Sequence, residues 1–281
     1  MKDLGYYNGH IDLIENITVP VNDRVHWFGD GVYDVAMVCG GKPVMLDRHI
    51  KRFYTSAPML RIEIPLAPDD LDSLLRDLSS RVDDPDQIVY FQVTRATAPR
   101  RHAFPQGATP NLWVTVTPKK LAKPESLRVI TIDDTRHLHC NIKTLNLIPN
   151  CMAEQFAVDA GCDTAVFHRG EFVTEAVHAN AHIIKDGKIV THPADNLILP
   201  GIARERMTEI AKILGIPVEF RPFTLDEFKS ADEIFLTSST TPCARVSEIN
   251  LSPAGGADPD TFFRLRDAIY ADIAGMTGCT F

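Results

Sequence analysis

None of the six cysteines of this 281-residue chain stands in a C-x-x-C pair, and none has histidine neighbours at zinc-ligand spacing. No metal site is therefore expected, and scattered thiols in a chain this long point to a reducing, cytoplasmic setting. No apolar run approaches the ~20 residues of a membrane-spanning helix. The start, Met1-Lys2-Asp3-Leu4-Gly5-Tyr6, lacks the apolar core of a secretory signal. Basic residues are in deficit, 29 against 37 acidic, for a net charge of −8. That balance argues against nucleic acid or an anionic membrane as the main partner, and leaves room for a small anion in a local basic pocket. Internal repeats and low-complexity tracts are also missing. What is present is ordinary for a folded protein: 44% hydrophobic and 23% charged residues, enough to exclude global disorder. At about 150 residues per domain the length corresponds to roughly two domains.

The periodicities predict a mixture of helices and strands. Asn8-Gly9 reads as a tight hairpin turn, and 32–38 as a strand ending at Gly40-Gly41. Helices are predicted over 46–60 and over 69–82, where Leu71, Leu74, Leu75, Leu78 and Val82 form one apolar stripe behind Pro68-Asp69. Strands follow at 88–97 and 112–117. Residues 118–126, with two prolines and three lysines, read as a linker between a small domain at 1–117 and a larger one at 127–281. The second part shows a strand at 127–132, a helix at about 149–160 closed by Gly161, and hairpins turning at Arg169-Gly170 and Asp186-Gly187. A helix at 202–214, a short strand at 234–237 and an amphipathic helix from about 259 to 274 complete it. The pattern is two α+β domains rather than regular βαβ alternation.

Several segments could carry chemistry. Three arginines and a histidine within Arg95–His102 could clamp a carboxylate, or simply form a solvated basic loop. Lys143 lies in a mostly apolar run, where a lysine can become a nucleophile or can snorkel to solvent. Glu175 stands near the end of a hairpin strand. The run Thr237-Ser238-Ser239-Thr240-Thr241 could donate to a phosphate or form a polar turn.

Taken in order, eight blocks resemble the fold-type IV pyridoxal-phosphate enzymes, and among them the D-amino-acid transaminases. They are Trp27-Phe28-Gly29-Asp30-Gly31-Val32-Tyr33, His49-Ile50-Lys51-Arg52, Tyr90-Phe91-Gln92-Val93-Thr94-Arg95, Pro99-Arg100-Arg101-His102, Ile142-Lys143-Thr144-Leu145-Asn146, Val173-Thr174-Glu175, Leu199-Pro200-Gly201-Ile202 and Phe235-Leu236-Thr237-Ser238. The resemblance implies a two-domain α+β fold shared with branched-chain transaminases, with the pyridoxal phosphate site at the domain interface, and a homodimer. It implies ping-pong transfer of the amino group of D-amino acids (D-alanine, D-glutamate or D-aspartate type) to a 2-oxo acid. Lys143 is then the Schiff-base lysine and proton shuttle, and Glu175 pairs with the pyridine nitrogen. Arg52 and the backbone at Gly201, Ile202 and Ala203 hold the phosphate. Ser238 and Ser239 approach the phosphate or substrate, and Tyr33, Arg100 and His102 trap the substrate carboxylate.

The chain also departs from the family pattern. The usual Gly-Ser-Ser-Ser-Asn run after the glutamate is Ala176-Val177-His178-Ala179-Asn180, so His178 is expected to replace a hydroxyl donor to the phosphate. Ala203 stands where threonine is common, Asp34 where glutamate is frequent, Met37 where lysine is frequent and His137 where tryptophan is frequent. Alternative reactions on the same fold are aminodeoxychorismate lyase, R-selective amine transaminase and branched-chain L-transaminase. A pyridoxal-phosphate-binding protein without turnover is the non-enzymatic alternative.

Overall fold

The computed structural model describes residues 1–281. The chain divides into two compact units, one of residues 1–121, 142–146 and 276–279, the other of residues 122–141, 147–275 and 280–281.

The first unit is built on β1 (Leu4–Tyr7), β2 (His10–Asp12), a 3-10 turn (Ile14–Asn16), α1 (Arg24–Phe28), β3 (Gly31–Cys39), β4 (Lys42–Pro43), α2 (Leu46–Met59), α3 (Pro68–Ser80), β5 (Gln87–Thr94) and β6 (Asn111–Pro118). Asn8 (φ 47°) and Gly9 (φ 94°) make the β1–β2 turn, as the Asn-Gly pair predicts. The six strands form an antiparallel sheet in the order β2-β1-β6-β5-β3-β4. Alternate residues of its central strands, such as Val32, Phe91 and Val114, pack in one core with Phe53 of α2 and Leu71, Leu75 and Leu78 of α3. Helix α2 buries two adjacent stripes. Ile50, Phe53 and Ala57 enter that core, while His49, Arg52 and Ser56, at the same i, i+3, i+7 spacing, form a buried polar row.

The segment 142–146 follows the linker in sequence yet lies along β3. Val32 and Thr144 form a β-bridge, Tyr33 N–H donates to the Lys143 carbonyl (3.0 Å), and Leu145 N–H donates to the Gly31 carbonyl (3.1 Å). Lys143 therefore belongs to the first unit.

The second unit contains β7 (Leu127–Asp133), α4 (Ile148–Asp159), β8 (Thr164–Arg169), β9 (Phe172–Ala176), β10 (Asn180–Lys185), β11 (Lys188–Thr191), α5 (Ile202–Ile213), β12 (Val218–Phe220), α6 (Leu225–Lys229), β13 (Glu233–Thr237), β14 (Ala244–Ile249) and β15 (Ser252–Pro253), with α7 (Pro259–Thr277) closing the chain. Its sheet runs β12-β11-β10-β13-β14-β7-β8-β9, with β15 on β14. The pairs β11/β12, β14/β7 and β7/β8 are parallel and the others antiparallel, so the sheet is mixed. The two hairpins turn where the sequence predicts, at Gly170 (φ 56°) and at Asp186-Gly187 (φ 50° and 70°).

The α+β class is as expected, and the predicted helices are present with ends within three residues. The sequence reading misses the 3-10 turn and α1, β4, β12, α6, β14 and β15. Helix α1 is five residues, too short for a periodic stripe, and is started by the Asp23 carboxylate accepting the Val25 N–H (2.9 Å). Helix α6 is equally short and rests on a capping box between Thr224 and Glu227. Strand β14 reads Ala-Arg-Val-Ser-Glu-Ile, polar enough to pass for a loop, but it lies between β13 and β7. No helix is long and apolar enough to cross a membrane.

Candidate active site

Lys143 is half-buried, with its Nζ 4.2 Å from the centre of the Tyr33 ring. Tyr33 stacks on Tyr90 (5.3 Å), and Tyr90 meets Trp113 edge-on (5.8 Å), so the lysine stands over one end of an aromatic row. The Tyr90 hydroxyl donates to Gln92 Oε1 (2.7 Å), and burial together with the neighbouring Tyr33 phenol pushes its pKa up. The Lys143 amide donates to Ser56 Oγ at 3.4 Å, a long bond from the polar row of α2.

That row centres on Asp34, which is fully buried. Arg52 donates to it through Nε (2.8 Å) and NH2 (2.8 Å), and His49 Nδ1 lies 2.8 Å from Oδ1. Burial opposes the charge of Asp34, yet the Arg52 guanidinium and His49 outweigh it and hold the carboxyl well below the usual range. Burial also pushes the His49 pKa down, against the pull of Asp34. Two of the three nitrogens of Arg52, the residue expected to hold phosphate, are thus engaged by an internal carboxylate.

The basic cluster 95–102 has two different parts. Arg95 is buried and turned inward. Its Nε donates to Asp30 Oδ2 (2.9 Å), its NH1 and NH2 donate to the carbonyls of Arg61 (3.0 Å) and Leu60 (2.7 Å), and its guanidinium lies 3.4 Å from the Phe104 ring centre. Arg24, also buried, donates to Asp30 Oδ2 (2.6 Å) and to the carbonyls of Arg101 (2.5 Å) and Ala103 (3.4 Å). Asp30 with these two arginines anchors the loop. Arg100 and His102 remain exposed and gather on Phe28, with the Arg100 guanidinium 5.4 Å and the His102 ring 5.2 Å from that ring. Tyr33, the third residue of the expected carboxylate trap, stacks on Tyr90 and carries the Lys143 amine over its ring.

In the second unit Glu175 is buried at the end of β9. Its Oε1 accepts from Arg136 NH1 (2.5 Å), and its Oε2 accepts from the Leu199 amide (3.0 Å) and Asn180 Nδ2 (3.1 Å). Arg136 also grips Asp134 through Nε (2.9 Å) and NH2 (2.9 Å), and lies on the Phe167 ring (4.5 Å). Asp134 accepts further bonds from Arg169 Nε (3.0 Å) and the Thr174 hydroxyl (3.1 Å). Burial works against both charges, but the pairing outweighs it: Asp134 is held below its usual pKa and Arg136 above its own.

Helix α5 begins at Gly201 with no side-chain cap, so its first amides are free to meet an anion. A Cβ at Gly201 would sit 2.0 Å from Asn180 Oδ1. In the first turn Arg204 is buried, with Nε on Thr191 Oγ1 (3.0 Å) and NH2 on the His192 carbonyl (2.6 Å). Ser238 and Thr241 close a tight turn after β13, with Thr241 N–H donating to Ser238 Oγ (3.0 Å). Both line a cavity of about 120 Å³ together with His178 and Thr164, and Ser239 is half-buried within the same turn. Ile202 and Ala203 are buried at the helix start.

Within each unit the chemistry of the donors fits a part of pyridoxal phosphate. A half-buried amine at Lys143 suits its aldehyde, a carboxylate supplied with three donors suits a cationic ring nitrogen, and an uncapped helix start with a buried arginine in its first turn suits a phosphate. Arg136, Asp134, Arg204, Arg24 and Asp30 escaped the sequence reading. The one available signal was the spacing Asp134-x-Arg136 just ahead of the Lys143 segment, which short-range pattern cannot distinguish from a surface ion pair.

Comparison with known proteins agrees with this chemistry. The family model described as Amino-transferase class IV matches residues 31–249. A D-alanine aminotransferase of Listeria monocytogenes is 39% identical over 249 residues, 86% of each chain. One of Bacillus licheniformis is 36% identical over 280 residues, 98% of each. Among solved structures, a T.th. branched-chain amino acid aminotransferase with pyridoxamine 5'-phosphate superposes with a TM-score of 0.88 at 25% identity, covering 98% of this chain and 94% of that one. The Escherichia coli branched-chain enzyme gives 0.87 at 19% identity, covering 100% and 96%, and shows the fold alone.

Proposed function

The chain belongs to the class IV aminotransferases, and from that membership we propose that it moves the amino group of D-amino acids of the alanine, glutamate or aspartate type to a 2-oxo acid. The observation that carries this reading is Arg100 and His102 presented side by side on Phe28 by a loop that Arg24 holds from within. Relatives named D-alanine aminotransferase at 36% and 39% identity support it. We also infer a homodimer working in the cytoplasm.

When bound, pyridoxal phosphate supplies a carbonyl carbon that takes the amino group and a ring that accepts the electron pair left when the substrate Cα loses its proton. Lys143 would hold the cofactor through its amine, and that amine would be the base that takes the proton from the substrate Cα. Glu175, held by Arg136, Asn180 and the Leu199 amide, receives the pyridine N–H. Arg52 and the amides at Gly201, Ile202 and Ala203 bind the phosphate, with Arg204 adding positive charge. His178, Ser238 and Ser239 complete that cup, His178 standing in for a hydroxyl donor. Arg100 binds the substrate carboxylate, with His102 fixing its angle.

The test is the absorption spectrum of protein reconstituted with pyridoxal phosphate, taken with D-alanine, L-alanine and L-leucine in separate cuvettes. Conversion of the visible band to the near-ultraviolet band of the amine form by D-alanine alone is the expected result. Conversion by L-leucine and not by D-alanine would replace the proposal with a branched-chain L-transaminase. No change with any amino acid would point to the lyase or amine-transaminase reactions.

A further inference from the structure

Arg136 divides its guanidinium between two carboxylates. Nε and NH2 form a fork on Asp134, and NH1 alone reaches Glu175. The fork is reinforced from behind, because Asp134 also takes Arg169 and the Thr174 hydroxyl. The row Arg169–Asp134–Arg136–Glu175 thus alternates in sign. Asp134, Arg136 and Glu175 are at most 7% exposed, where charges interact strongly. Glu175 also feels the buried cation Arg204. A carboxylate that already accepts from Arg136, the Leu199 amide and Asn180 is a weak base, so it takes up a proton reluctantly.

We propose that Arg136 is a positioning residue that acts through Glu175 to keep the shared proton on the ring nitrogen of the bound cofactor. The proposal rests on the reading that Glu175 meets that nitrogen. Without Arg136, Glu175 becomes the stronger base, and the one shared proton moves from nitrogen to carboxylate with no change in total charge. The ring then loses its positive charge and with it much of its capacity to accept electrons from Cα. Asp134 tempers the device: by holding two of the guanidinium nitrogens, it leaves Glu175 only one.

The experiment reconstitutes the protein with pyridoxal phosphate carrying ¹⁵N at the ring nitrogen and reads that chemical shift by NMR. Wild type should show the protonated value. Arg136→Gln should move the shift toward the unprotonated value and release cofactor about 10- to 100-fold faster, the scale for losing a charged hydrogen bond. Arg136→Lys should restore most of the shift. Thr174→Val takes a donor from Asp134, which then draws harder on Arg136, and should move the shift the same way by less. A merely structural Arg136 would change stability or cofactor release and leave the shift of the bound fraction at the wild-type value. That result in Arg136→Gln overturns the proposal. If Arg136→Gln cannot be loaded, an unmoved shift in Thr174→Val overturns it. Glu175→Gln separates the two levels. If it moves the shift and Arg136→Gln does not, only the role of Arg136 falls; if it leaves the shift unmoved, the placement of Glu175 falls with it.

Discussion

Asp34 and Arg52 are joined by two parallel hydrogen bonds, Nε to Oδ2 and NH2 to Oδ1, each 2.8 Å long. The fork sets the plane of the guanidinium before any anion arrives, and His49 fixes the carboxylate from the other side. Breaking one partner of a buried pair is costlier than never having built it, because the survivor keeps its charge in a low-dielectric site. Asp34→Asn should therefore lower stability by about 3–5 kcal/mol. Urea unfolding of the two proteins checks this, and a loss below about 1 kcal/mol would mean that solvent reaches Arg52.

Two buried histidines give the fold a pH dependence of definite sign. His49 is pushed down by burial against the attraction of Asp34, and His182 is pushed well below its ordinary value by burial and by Arg204. His182 is held between the hydroxyls of Thr191 (2.9 Å) and Thr237 (2.9 Å). Both bind a proton less readily in the folded state than when unfolded. Stability is thus full above about pH 6.5, the unfolded value, and falls as pH drops below it, each histidine contributing up to ~1.4 kcal/mol per pH unit. Asp34, depressed in the fold, adds a further loss below about pH 4. Unfolding free energies at pH 7.5 and 5.5 should differ accordingly, and His182→Gln should flatten the slope. An unchanged slope would show that His182 binds a proton as readily in the fold as in the unfolded chain.

Arg24 should matter for substrate without touching it. Arg100→Ala should lower kcat/KM for D-alanine by about 10- to 150-fold, equivalent to the 1.5–3 kcal/mol of a charged hydrogen bond. Arg24→Gln removes the bonds to the carbonyls of Arg101 and Ala103 and should raise KM several-fold while leaving the spectrum of the bound cofactor intact. Steady-state kinetics on both variants decides. A normal KM in Arg24→Gln would mean that Arg95 and Phe104 suffice to hold the loop.

His178 shares a cavity wall with Ser238 and Thr241, where the family's usual hydroxyl run is replaced. If its ring serves the phosphate, His178→Ala should release pyridoxal phosphate about tenfold faster. Dialysis followed by absorbance reads the release, and a wild-type rate would make His178 a wall residue only.

Legibility followed the range of the interactions. Helix α3 was plain because five apolar side chains repeat on one stripe, and the Asn8-Gly9 turn because positive φ at two successive positions selects those residues. Lys143 and Glu175 stood out through the motifs around them. Their surroundings did not, because each is assembled from separate elements: Arg52 and His49 reach Asp34 from α2, and Arg136 reaches Glu175 across 39 positions of sequence. Arg95 looked like its neighbour Arg100 in sequence, and only the placement of Asp30 turns one inward and leaves the other exposed.

Gly201 gives the sharpest test of how the helix start is coupled to Glu175. Its φ of −70° is open to any residue, so backbone freedom is not why glycine stands there. The reason is contact: an added methyl would lie 2.0 Å from Asn180 Oδ1. Asn180 cannot simply withdraw, because its Nδ2 donates both to Glu175 Oε2 (3.1 Å) and to the Leu199 carbonyl (2.9 Å). Gly201→Ala must therefore displace Asn180 or the first turn of α5, disturbing the glutamate and the amides together. Overpacking of this kind costs about 1–3 kcal/mol in stability, and cofactor affinity should fall by more than in Asn180→Ala, which loses the hydrogen bonds without moving the helix. Equilibrium binding of pyridoxal phosphate to the two variants compares them. Equal losses would show that Gly201 acts only through Asn180, and a larger loss in Gly201→Ala that the amides of α5 hold the phosphate themselves.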